Sequence, residues 1–150
     1  MRFTTQGVAS FIAVAVVASG GFSVASLASD PVRERRAAME AVGDAMKPLA
    51  AIAKKEAPFD AAVVGKNAGI IADNLKASSA LFPAGTAAGE SRAKPEIWTD
   101  RAAFDKGLAE SQAAAVALQA VRDEAAFGPA FAAVGVSCRS CHDKYRLPKK

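Results

Sequence analysis

The chain is predicted to be all-α, an antiparallel up-down-up-down four-helix bundle, from three observations. Hydrophobic residues make up 51% of its 150 residues and aromatic ones only 7%, alanine being the commonest of the apolar residues, so helix formers outweigh strand formers. In four separate stretches the inward positions recur at alternating steps of three and four, as packed helices require. The length allows one ordinary domain with one core.

In chain order, the first segment is a leader and not part of the bundle. Arg2 precedes the apolar run Val8 to Val17, and Ser26-Leu27-Ala28 follows with small residues where a signal peptidase reads. This is a secretory signal peptide over residues 1–28, leaving a mature domain over 29–150 that begins near Ser29. An uncleaved anchor would need about 20 apolar residues, and Ser10, Ser19 and Gly20 break the run. Without Arg2 the 19 basic residues become 18 against 15 acidic ones, a formal charge of +3. No basic cluster interleaved with aromatics accompanies it, which argues against nucleic acid as a partner. Once the leader is removed, no membrane association is expected.

Helix one opens at Asp30-Pro31, an N-cap followed by proline at the first helical position. Its stripe is Val32, Arg35, Met39, Val42, Met46, Leu49 and Ala53, with Pro48 expected to kink it. Helix two follows Pro58-Phe59, takes Asp60 as cap, and carries Val64, Ala68, Ile71, Leu75, Ser78 and Phe82 before stopping at Pro83. From Pro83 to Ile97 the Gly, Ala, Ser and Pro content reads as a long irregular crossing loop. Helix three begins near Thr99 or Asp100 and carries Phe104, Leu108, Ser111, Ala115 and Leu118. Helix four carries Phe127, Phe131, Val134, Cys138, Cys141 and Tyr145, spaced four, three, four, three, four. Its start lies between Arg122 and Pro129, because Asp123 can cap a helix while Gly128-Pro129 can mark a break. No internal repeat is present.

The run Cys138-Arg139-Ser140-Cys141-His142 holds both cysteines of the chain and its sole histidine. Two thiols one helical turn apart can each add to a vinyl group of the same porphyrin, and the adjacent histidine can bind the iron axially, which is the pattern of covalent c-type haem. A structural zinc site wants four ligands, and no further Cys or His exists to complete one. A thioredoxin-like pair belongs at a helix N-terminus after a strand, and a disulfide across so small a loop would add little stability.

An up-down-up-down bundle brings the end of helix four to the start of helix one. Phe82, and Trp98 or Phe104, are then expected near the porphyrin, although the latter two also read as ordinary core aromatics. No histidine remains for the sixth iron position, so the side-chain candidate is methionine. Met46 lies about 10 Å deeper along the axis than Met39, leaving Met39 as the candidate distal ligand, with a plain core residue as the alternative. Arg35 interrupts an apolar stripe and needs an anionic partner if buried. A haem propionate matches it, whereas a guanidinium on the rim would snorkel to water. Arg146, one turn beyond His142, can shield the proximal imidazole or belong to the basic tail with Lys144, Lys149 and Lys150.

With these residues in place, the chain resembles the class II c-type cytochromes, the cytochrome c-prime family. The resemblance rests on Arg35-x-x-x-Met39, Ala57-Pro58-Phe59-Asp60-Ala61-Ala62, Leu81-Phe82-Pro83, Pro95-Glu96-Ile97-Trp98 and the run from Cys138 through Asp143-Lys144-Tyr145-Arg146. It implies a periplasmic four-helix bundle with one covalent haem c, often a homodimer through the first two helices. It also implies a division at the sixth ligand: high-spin members leave the distal site open and bind nitric oxide or carbon monoxide, and low-spin members ligate a first-helix methionine and pass electrons. Methionine at the position of Met39 occurs in both groups, and Leu81-Phe82-Pro83 is similar to the low-spin one. The expected function is one-electron transfer with periplasmic redox partners docking at the haem edge. His142 is the expected proximal ligand and Met39 the distal one, and a five-coordinate gas binder is the alternative. No acid-base pair or nucleophile accompanies the haem motif, so no enzymatic activity is expected. A non-haem redox or metal-binding helical module is the remaining reading.

Overall fold

The structure is a computed structural model and describes residues 30–86 and 91–148; the expected leader over 1–28 and the tail residues Lys149 and Lys150 lie outside them. Four long helices, α1 (Pro31–Ala53), α2 (Ala61–Ser78), α4 (Arg101–Gln119) and α5 (Glu124–Tyr145), are joined by a 3-10 turn at Ser79–Leu81 and by the one-turn α3 (Glu96–Thr99). Among the described residues the only β-type pairing is an isolated antiparallel bridge between Ala93 and Arg146. None of the described helices is long and apolar enough to cross a membrane.

The helix starts follow from side-chain capping. The Asp30 carboxylate accepts from the Val32 and Arg33 amides, Asp60 from those of Ala62 and Val63, and Asp123 from that of Ala126. Each satisfies donors that the first turn cannot pair internally. The open boundary is thereby settled at Asp123, and Pro129 lies inside α5. Pro48 likewise lies inside α1, which continues to Ala53 although the proline has no backbone N–H to donate. The crossing loop is shorter than expected, because Glu96 and Ile97 already belong to α3. Asp100 then interrupts the path with non-helical backbone, φ −126° and ψ 51°, its carboxylate accepting from Lys144 Nζ at 2.8 Å, so the third long helix starts at Arg101.

Helix α2 packs on α1 and on α4, and α4 packs on α5; the seam between α1 and α5 is the least filled of the four. The stripes Val64, Ala68, Ile71, Leu75, Ser78 of α2 and Phe104, Leu108, Ser111, Ala115, Leu118 of α4 are buried as the periodicity requires. In α1 the stripe is displaced. Arg35, Val42 and Leu49 are buried, but Ala38, Ala45 and Ile52 take the remaining inner positions, while Met39 and Ala53 are exposed and Val32 and Met46 half-buried. Small alanines at the contact let α1 lie close to its neighbour, and hydropathy alone does not separate a packing alanine from a non-packing methionine.

Candidate functional site

Cys138 and Cys141 sit on the penultimate turns of α5, half-buried against the core and unbonded to each other. Burial pushes both thiols above their ordinary range; Cys138 adds to this at Cys141, and Arg146 opposes it. A dithiol that works by exchange needs the opposite shift, toward thiolate. His142 follows directly. Burial holds its imidazole below the ordinary value, Arg146 and Arg92 push the same way, and Asp143 opposes them. A neutral imidazole is the form that binds a metal.

Arg35 is buried, 6% exposed, and does not snorkel to water. Its guanidinium lies 4.7 Å from the Phe82 ring centroid and 5.8 Å from that of Trp98, within the range of cation–π attraction. Nη1 donates to Thr86 Oγ1 at 3.1 Å and Nη2 to the Thr86 carbonyl at 2.8 Å. Gly85, with a positive φ of 80°, makes the turn that returns Thr86 to this position. Nε has no hydrogen-bond partner among the described residues. Burial lowers the Arg35 pKa from its ordinary value and Asp30 opposes that effect, so this group remains a cation with one buried donor left over.

The aromatic residues form a chain at the same end of the bundle. Phe82 meets Trp98 at 6.1 Å and Phe104 at 4.7 Å, and Phe104 meets Tyr145, three residues past His142, at 5.2 Å. Phe82, Trp98 and Phe104 are thus all drawn to the end that carries the Cys-x-x-Cys-His run, as the bundle topology required. Phe104 is fully inside the core at 2% exposure, while Phe82 and Trp98 are half-buried. Met46 packs against the core, whereas Met39 stands outside it at 37% exposure. Arg146 is exposed and bonded through its backbone amide to the His142 carbonyl at 3.0 Å.

Three residues at this end were missed in the sequence. Arg101 Nη1 donates to the Phe82 carbonyl at 2.9 Å, Nη2 to the Ser79 carbonyl at 2.8 Å and Nε to Asp105 at 2.8 Å, tying down the turn that presents Phe82. Thr86 and Arg92 are the others, and both act on groups more than fifty residues away in sequence. Only the Arg101 and Asp105 spacing of four was legible beforehand.

These residues suit a covalent haem: two protonated thiols a turn apart, a neutral imidazole beside them, an aromatic wall, and a buried cation with a free donor for an anionic group. The comparisons agree. A family model described as Cytochrome C' matches residues 30–146. A cytochrome c' of Rhodopseudomonas palustris is 44% identical over 140 residues, covering 92% of this chain and 94% of the relative. A cytochrome c-556 of Agrobacterium fabrum is 38% identical over 124 residues, covering 81% and 84%. Among solved structures, the cytochrome c' from Rhodopseudomonas palustris superposes with a TM-score of 0.77 at 43% identity, covering 81% of this chain and 99% of that one. A nitric oxide complex of a mutant cytochrome c prime from Alcaligenes xylosoxidans does so at 0.73 and 33% identity, covering 80% and 95%. The chain belongs to the cytochrome c' family, class II c-type haem proteins whose four-helix bundle carries one covalently attached haem c.

Proposed function

We propose that this chain is a periplasmic cytochrome whose haem iron is held by His142 on the proximal side and is open to a diatomic gas, such as nitric oxide or carbon monoxide, on the distal side beneath Met39. The observation that carries the reading is the position of Met39. It lies one turn from the buried Arg35 yet outside the core, with 37% of its surface exposed, so its own packing does not account for it. The relatives support the open form: the 44% identical one is named a cytochrome c', and a solved relative is a nitric oxide complex. The expectation of Met39 as sixth ligand and of one-electron transfer as the main function therefore gives way to Met39 as a lid. The c-556 relative keeps electron transfer as the second reading.

The residues divide the work. The Sγ atoms of Cys138 and Cys141 would hold the cofactor through two thioethers and so fix it to α5. When bound, the haem would supply a one-electron couple and an iron able to take a gas ligand. His142, kept neutral by burial, supplies the proximal nitrogen, and Arg146 places a cation beside it. Arg35 offers Nε to a propionate while Thr86 holds its other nitrogens. Phe82 and Trp98 keep water from that pair. None of these groups breaks a substrate bond, which accords with binding rather than catalysis. Val63 and Ile70, seven residues apart on α2 and only half-buried, support a homodimer through the first two helices. Redox partners would reach the haem edge at the α5 end, where the cations Arg139, Lys144 and Arg146 favour acidic surfaces.

Optical spectra of the purified ferric and ferrous protein, with carbon monoxide and nitric oxide binding rates, test the proposal. The wild type is expected to be high-spin, and Met39→Ala to change gas-binding rates through crowding alone. A low-spin wild type that becomes high-spin in Met39→Ala overturns the lid and restores thioether ligation with electron transfer.

A further inference from the structure

The last turn of α5 carries His142, and a helix leaves its final carbonyls without intrahelical donors. Helices α1 and α4 end on bonds from their own following backbone, Lys54 to Ala50 and Ala120 to Val116. Helix α5 has such a bond too, from the Arg146 amide to the His142 carbonyl, but its last carbonyls are also met by a segment some fifty residues earlier in the chain. Lys94 donates its amide to the Tyr145 carbonyl at 2.9 Å and its Nζ to the Asp143 carbonyl at 3.1 Å. Arg92 forks onto the Leu147 carbonyl with Nε at 2.9 Å and Nη2 at 2.7 Å, and its own carbonyl accepts the Leu147 amide at 2.8 Å. Between them lies the antiparallel bridge of Ala93 and Arg146. Two cations at a helix C-terminus also match its dipole.

We propose that Arg92, seconded by Lys94, is a positioning residue for the proximal side: its clasp on residues 143–147 fixes the last turn of α5, and with it the direction of the His142 imidazole and the place of Arg146. Groups behind a metal ligand commonly orient it and tune the metal. Here the orienting group acts through the backbone of the ligand's own helix. Arg92 also reaches His142 by charge, so a test must separate field from position. The inference rests on His142 being the proximal ligand, and its band readout on the five-coordinate iron of the proposed function.

The experiment uses the haem-loaded protein with Arg92→Ala and Arg92→Lys, reading the ferrous iron–histidine stretching band by resonance Raman and amide exchange at Lys94 and Leu147. In Arg92→Ala the two amides are expected to exchange at least tenfold faster and the band to shift. Arg92→Lys keeps the charge but loses the fork, and is expected to keep most of that shift. Three results overturn the proposal: amides unchanged in Arg92→Ala, amides faster with the band unmoved, or a wild-type band restored by Arg92→Lys, which would assign the effect to charge. A high-spin ferrous wild type lacking any iron–histidine band removes the proximal assignment itself, a distinct failure; should the wild type be low-spin, the same comparison is read in the Met39→Ala background. Should Arg92→Ala not retain haem, Lys94→Met removes only the bond to Asp143; a smaller shift in the same direction is expected, and no shift overturns the clasp.

Discussion

The two ends of the bundle are built on different physics. At one end Leu49, Ile52, Val64, Leu118 and Phe127 are each no more than 3% exposed, with Phe59 and Phe131 both packed against Phe127. Its connections are short, running from Ala53 to Ala61 and from Gln119 to Glu124, and its helix starts are capped by Asp60 and Asp123. The other end carries Cys138, Cys141 and His142. It is crossed by the long connection from Ser78 to Arg101, and cations bonded to distant backbone carbonyls hold it: Arg35 to Thr86, Arg101 to Ser79 and Phe82, Arg92 to Leu147. Burial of apolar surface holds the first end without direction, whereas the second needs directional bonds because it must keep half-buried thiols and an imidazole in set places.

The largest expected difference is chemical. Replacing Cys138 and Cys141 together by alanine should abolish covalent attachment, so that acid-acetone extraction frees all haem from the exported protein. Either single change should weaken attachment. At the opposite end Leu118→Ala should cost about 2–5 kcal/mol in denaturant unfolding, since Leu118 is fully buried, while the visible spectrum stays that of the wild type. A spectrum that changes with Leu118→Ala would show the two ends to be coupled.

Arg101→Ala should cost less, about 1–3 kcal/mol, from the lost charge-assisted bonds to Ser79 and Phe82. Unlike Leu118→Ala it should also disturb the haem spectrum, by releasing Phe82. Arg35→Leu should change stability by under ~1 kcal/mol or raise it, because a buried guanidinium is costly to desolvate. Its expected signature is a shifted reduction potential, and an unchanged potential would remove Arg35 from the cofactor's surroundings.

The smallest effect is that of acid. The hydrogen bond from Arg101 holds the Asp105 carboxyl below its ordinary value of 3.8, with Ser79 helping and burial opposing. A depressed carboxylate stabilises the fold above its unfolded value and loses that contribution as pH falls through the folded one. The turn at Ser79–Leu81 should therefore loosen below about pH 4, before the Leu118 end responds. In Asp105→Asn this acid-dependent step, followed by Trp98 fluorescence, should vanish.

How much of this was readable in advance differs along the chain for a physical reason. Side chains that pack by period alone, such as Ile71, Ala115 and Val134, were placed correctly because a helix repeats every 3.6 residues whatever surrounds it. Caps at Asp30 and Asp60 were equally local. The stripe of α1 went astray at Met39 and Ala53 because the rotation of a helix against its neighbour is set by the partner's shape, here one that prefers Ala38 and Ala45. The snorkelling alternative for Arg35 failed because its shelter comes from Phe82, Trp98 and Thr86, the last 51 residues away.

By itself, the sequence determined the helical class, the capped starts at Asp30 and Asp60, the inner faces of α2 and α4, and the thiol–thiol–imidazole run at one end of the bundle. All of these depend on interactions within a few residues or on a fixed helical period. Only the tertiary structure decided that Met39 lies outside the core, that Arg101 grips the turn before Phe82, and that Arg92 and Lys94 close the end of α5. Hydrogen bonds between a side chain and a distant backbone carbonyl leave no composition or spacing to read, because every residue carries that carbonyl and only folding selects which one is met.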